Sequence, residues 1–152
     1  MNTFKKFGIA AAVSAVALTA GAAVAQDAAA AIETRVTNFE MMDDLWQPML
    51  PMMRGEADAA AVGAAADGMK PLAEMIPALF EEDTRESDAE TLALDGIWAS
   101  KEDFNMKAAA LVTALDAMSA AAASNDQRAI KTSIRDVGMA CGNCHDVYKA
   151  DE

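Results

Sequence analysis

The chain of 152 residues predicts an all-α protein, an antiparallel four-helix bundle, and three observations carry that prediction. No useful length alternates apolar and polar residues with the period of two that a half-buried strand requires. Alanine, leucine, methionine, glutamate and lysine, all good helix formers, dominate the composition. Four segments repeat apolar residues at alternating three- and four-residue steps, the spacing of helices packed side by side.

The first stripe runs from about Asp27 to Gln47, with Ile32, Phe39, Met42 and Trp46 along one side and Arg35 and Val36 beside them. Pro48 and Pro51 end or bend it, because neither nitrogen can donate a hydrogen bond. The second stripe opens at Asp58, a favourable N-cap, and carries Val62, Met69, Leu72, Ile76 and Leu79. Pro71 and Pro77 fall inside it and predict a kink or a broken end. The third starts between Asp95 and Trp98 and steps through Phe104, Ala108, Leu111, Leu115, Met118 and Ala122. The fourth follows the cap cluster Ser124–Asp126 with Ile130, Ile134, Val137, Cys141, Cys144 and Tyr148. The short "ASND" link makes the last two helices antiparallel neighbours. Residues 81–95, acidic and poor in core residues, read as the major loop.

Ahead of the bundle lie Lys5 and Lys6, an apolar run from Gly8 to Ala20 and the small residues Ala23–Ala25. This is the pattern of a cleavable export signal, residues 1–25, cut before Gln26. The run is shorter and richer in alanine than a membrane-spanning helix, so no membrane attachment is expected after cleavage and the periplasm is the expected location. Residues 26–152 suit one domain with a single core. The net charge is −12 and becomes more negative when Lys5 and Lys6 leave. Such a surface repels nucleic acid and anionic lipid.

"MACGNCHDVYK", Met139 to Lys149, contains both cysteines and the only histidine of the chain. On the fourth stripe Cys141 and Cys144 face the core. A pair three apart on a regular helix is poorly placed to close a disulfide. A thioredoxin-like site lacks its strands, and zinc wants four ligands. C-x-x-C-H is instead the attachment signature of c-type haem, with Cys141 and Cys144 as thioether anchors and His145 as axial iron ligand. Residues three apart are neighbours on a helix surface, which lets two thiols reach the vinyl groups on one side of a flat ring. His145 is rotated about 100° further round the axis, toward the ring face. One covalent haem c is therefore expected in the bundle core.

With that motif close to its C-terminus, the chain resembles the cytochrome c′ family. The resemblance covers nearly all of residues 26–152 and is strongest from "IWASKEDF" (Ile97–Phe104) to "DVGMACGNCHDVYK". It implies a five-coordinate iron beneath a bulky apolar residue of the first helix. "RVTNF" puts Arg35 and Phe39 where the family has an arginine and, four positions on, its distal residue. Related low-spin bundle cytochromes have a ligating methionine where Phe39 stands. Met42, three residues later on the same face, is the competing candidate, either as a distal-pocket filler or as a sixth ligand. Arg35 is implied to pair with a haem propionate; its plainer alternative is a solvated charge. Lys149 matches a basic residue on the proximal side and can touch the imidazole, serve the helix C-terminus, or both. "FEEDT" departs from the family, with Glu82 and Asp83 where Pro-Gly is common, and no haem contact is assigned to that loop.

The expected function is that of a non-enzymatic periplasmic haem protein with high-spin iron that binds nitric oxide and carbon monoxide and can exchange electrons with an unidentified redox partner. No general acid or base is left near the pocket once His145 ligates iron. The alternative is a low-spin, six-coordinate His/Met electron carrier of the same fold; a third reading is a haem-free helical interaction domain. The resemblance also implies a homodimer through the first two helices, with Met41, Met49 and Met53 as candidates for exposed residues there.

Overall fold

The structure is a computed structural model and describes residues 16–151, with side chains from Asp27 onward. Its elements are α1 (Val16–Trp46), two single 3-10 turns (Gln47–Met49 and Pro51–Met53), α2 (Ala59–Leu79), the one-turn α3 (Gly96–Ala99), α4 (Lys101–Ser124) and α5 (Gln127–Tyr148). Among the described residues it is an all-helical bundle, as the stripes predict, with α1 packed on α2, α2 on α4 and α4 on α5. Of the expected export signal, residues 1–15 lie outside the described residues. Val16 onward continues into α1, so that helix begins well before Asp27. Alanine has the highest helix propensity, and nothing between Ala17 and Asp27 breaks the run.

Each helix end has a local cause. Pro48 and Pro51 open the two 3-10 turns, at positions where a missing N–H costs little. Asp58 caps α2, its Oδ1 accepting from Ala60 N at 2.9 Å and Ala61 N at 3.2 Å. Asp126 caps α5 in the same way, from Arg128 N at 2.8 Å and Ala129 N at 3.1 Å. Between α4 and α5, Asn125 takes the left-handed conformation (φ 53°) that turns the chain back in one residue.

Two details differ from the sequence pattern. α2 passes through both Pro71 and Pro77 and ends only at Phe80. Each proline removes one helical hydrogen bond, but Val62, Ala66, Met69, Ala73 and Ile76 bury one continuous face on both sides of Pro71. The third stripe is interrupted at Ser100 (φ −130°, ψ 47°), which separates α3 from α4.

The core follows the stripes closely on α4 and α5: Phe104, Ala108, Leu111, Leu115, Met118 and Ala122 face Ile130, Ile134, Val137 and Tyr148, all buried. α4 is long and apolar enough to cross a membrane, yet its stripe is spent on α2 and α5. Met49, expected at the surface, is 2% exposed, because the Pro48 turn folds it under the bundle; Met41 and Met53 are exposed. The loop after α2 returns to the C-terminal end of α5. There Leu94 N donates to Tyr148 O at 3.0 Å and Ala150 N to Leu92 O at 2.8 Å, an antiparallel bridge between Ala93 and Lys149.

Candidate haem site

The last three turns of α5 carry the motif. Cys141 and Cys144 are unpaired, half-buried and packed against the hydrophobic core. Burial pushes both thiols above their ordinary pKa; for Cys141 the neighbouring Cys144 adds to this, whereas Lys107 opposes it at Cys144. His145 lies on the exposed side of the helix. Partial burial, then the nearby Lys149 charge, lower its pKa against the opposing Asp146. Neutral thiols and a neutral imidazole on one stretch of helix are the donor set that covalent haem attachment and iron ligation need. An added Cβ at Gly142, between the two cysteines, would meet nothing within 4 Å, so the helix surface there is open. The residues fit a haem.

α1 supplies the facing wall. It packs on α2 and makes at most marginal backbone contact with α4 and α5. Trp46 does cross to α5: a Cβ built on Gly138 would sit 3.3 Å from its Cζ2 and 3.5 Å from its Cη2. At the start of α5, Gln127 both accepts from Ala57 N (2.9 Å) and donates to Ala57 O (2.8 Å).

Phe39 is half-buried, its ring centroid 6.3 Å from that of Phe80. The contacts continue from Phe80 to Phe104 at 4.9 Å and from Phe104 to Tyr148 at 5.3 Å. Tyr148 donates to Asp103 Oδ2 at 2.6 Å, which pushes its pKa up to about 12. Met42 is 6% exposed, and its sulfur lies 3.8 Å from Asn38 Nδ2. That amide also donates to Leu72 O of α2 at 3.3 Å, while Asn38 Oδ1 is buried without a partner.

Arg35 is 3% exposed and turned onto the α2 terminus. Its guanidinium donates to Leu79 O (2.6 Å), Glu82 O (2.8 Å) and Thr84 Oγ1 (2.6 Å). It also lies 4.6 Å from the Phe80 ring centroid and 5.4 Å from that of Trp98. Burial pulls its pKa down, and Glu82 and Asp83 oppose this. Lys101 Nζ donates to Phe80 O at 2.8 Å, and Trp98 Nε1 is shared between the Phe80 and Glu82 carbonyls. Three donors from other elements thus satisfy the carbonyls that end α2, where a cation also complements the helix dipole. The solvated-charge alternative for Arg35 does not hold. Two of its five N–H donors remain for a further acceptor.

The Glu82–Asp83 departure is absorbed by the backbone. Glu82 serves Arg35 through its carbonyl, and Asp83 turns outward to pair with Arg85 at 2.6 Å. Lys149 ends α5, with its N–H on His145 O at 3.0 Å, and it is half-buried beside Ala93. Asn38, Thr84 and the Trp46–Gly138 contact leave no mark in the apolar stripes. A buried polar residue interrupts no apolar period, and a glycine carries no side chain to be counted.

Residues 30–149 match the family model described as Cytochrome C′. The chain belongs to the cytochrome c′ family. It is 32% identical over 122 residues to cytochrome c′ of Allochromatium vinosum, covering 78% of this chain and 79% of that protein. A cytochrome c-554 of Cereibacter sphaeroides is 37% identical over 94 residues, 60% of this chain and 61% of that one. Here the chain spans less than two thirds of its relative. The fold matches the crystal structure of cytochrome c′ from Thermochromatium tepidum with a TM-score of 0.74 at 32% identity, over 82% of this chain and 97% of that one. A nitric oxide complex of a mutant cytochrome c prime from Alcaligenes xylosoxidans matches with a TM-score of 0.70 at 28% identity, over 80% and 94%. Cytochrome c′ proteins carry covalently attached c-type haem, and haem c is the cofactor of this chain.

Proposed function

We propose that the chain is a periplasmic cytochrome c′, freed of residues 1–25, in which Cys141 and Cys144 hold the haem, His145 ligates its iron and no protein donor occupies the opposite axial position. The register of α1 against α5 carries this reading. The two helices run antiparallel in the bundle and meet at Trp46 and Gly138. Seven residues back along α1 is Phe39, and seven forward along α5 is His145, each two turns or about 10 Å from the contact. Phe39 therefore stands level with His145. Met42 is about one turn off that level, with its sulfur held beside Asn38 against α2.

The haem, once bound, supplies an iron that takes a diatomic gas or an electron. Phe39 presents an apolar ring without a donor atom, so it excludes water and gives no hydrogen bond to a polar dioxygen complex. Nitric oxide and carbon monoxide, compact and uncharged, need only displace the ring. The nitric oxide complex of the Alcaligenes relative supports the same ligand class here. Arg35 would offer its two remaining donors to a propionate while fixing the α2 terminus, and Lys149 lies near enough to bias the imidazole. Exposed Val36, Met41 and Met75 on α1 and α2 are the surface for a homodimer, which sedimentation velocity tests.

The deciding experiment is the optical and electron paramagnetic resonance spectrum of the ferric holoprotein. High-spin iron, with large spectral changes under nitric oxide or carbon monoxide after reduction, is expected. A low-spin spectrum with a sulfur-to-iron band that disappears in Met42→Ala would establish the six-coordinate electron carrier instead.

A further inference from the structure

Building on the gas-binding reading, we infer that Trp46 and Gly138 form a spacer that sets how closely α1 approaches α5, and through it the size of ligand that Phe39 admits. α1 packs along α2 but gains little from backbone packing on α5, so its approach to α5 at the level of the site rests on the points where side chains pin it. Below Phe39, Arg35 ties α1 to Leu79, Glu82 and Thr84. Above it, Trp46 rests on α5 at Gly138. Phe39 hangs between these two pins, four residues from one and seven from the other.

Gly138 has no conformational reason to be glycine, since no described glycine has a positive φ. In the middle of a helix glycine is unfavourable. Its use here is steric: the indole fills the space that a Cβ would take, 3.3 Å from Cζ2. Gly138 also lies one turn before Cys141, so any displacement of Trp46 acts on the gap beside the attachment site. A methyl group at position 138 pushes the indole, and with it α1, outward by a few tenths of an ångström. A smaller side chain at position 46 lets α1 settle inward.

The test uses ferrous holoprotein and two alkyl isocyanides of different length, with carbon monoxide as the compact reference. In Gly138→Ala, the ratio of association rates, butyl over ethyl isocyanide, is expected to rise about threefold. In Trp46→Leu it is expected to fall by a similar factor. A purely structural contact would move both variants in the same direction or neither. The fluorescence lifetime of Trp46, isolated in a Trp98→Phe background, gives an independent readout. It should lengthen in Gly138→Ala as the indole moves away from the quenching cofactor. Unchanged ratios in both variants, with carbon monoxide binding intact, would overturn the spacer. Failure of the unmodified protein to bind carbon monoxide at all would overturn the gas-binding reading itself.

Discussion

The two walls of the site are built differently. On α5 the inward face is apolar apart from Ser133, whose hydroxyl is returned to Ile130 O of its own helix, and Ile130, Ile134 and Val137 are completely buried. On α1 the inward face includes Arg35 and Asn38, both buried, with Phe39 only half-covered. α5 is held by many weak, non-directional contacts with α4, whereas α1, beyond its packing on α2, is fixed by a few directional ones: the Arg35 fan, the Asn38 amide and the Trp46 ring. Diffuse packing gives the helix that bears the cysteines and histidine a fixed position. Discrete pins leave the facing helix separable from it, which is what a wall over a ligand pocket needs.

The largest effect should come from the diffuse side. Ile134→Ala removes a fully buried side chain and should cost about 3 kcal/mol of unfolding free energy, measured by denaturant titration. Arg35→Met strands three acceptors at once and should cost about 2 kcal/mol. Arg35→Lys should recover less than half of that, since an ammonium lacks the planar fork. A cost below about 0.5 kcal/mol for Arg35→Met would break the comparison, because α1 would then not depend on its pins. Asp58→Ala and Asp126→Ala should each cost about 1 kcal/mol.

The smallest effect is alkaline. The Asp103 carboxylate raises the Tyr148 hydroxyl to about 12, so above pH 10 the unfolded chain loses this proton before the folded one does. Stability is unaffected below pH 10 and falls as pH rises from about 10 to about 12. Tyr148→Phe should flatten that part of the curve in a pH series of thermal melts.

On α4 and α5 the stripes are legible in the sequence, because every buried position but Ser133 is apolar and the link between them is a cap cluster. α1 is legible only in part. The period finds Ile32, Phe39, Met42 and Trp46, but it passes over Asn38, whose burial depends on a carbonyl of α2. Met49, beyond the stripe and expected outside as a dimer-surface candidate, is carried in by the Pro48 turn. α2 misleads through its prolines, since their local cost competes with a buried face that spans them.

The chain alone determined the helical class and the cofactor, and it pointed to Cys141, Cys144 and His145 as the residues to hold it, since these depend on spacing within single helices. What stands opposite His145, and where Arg35 spends its donors, depended on how separate helices meet. That register brings one indole against one glycine across a seam, a contact between residues 92 positions apart that no periodicity within a helix can encode.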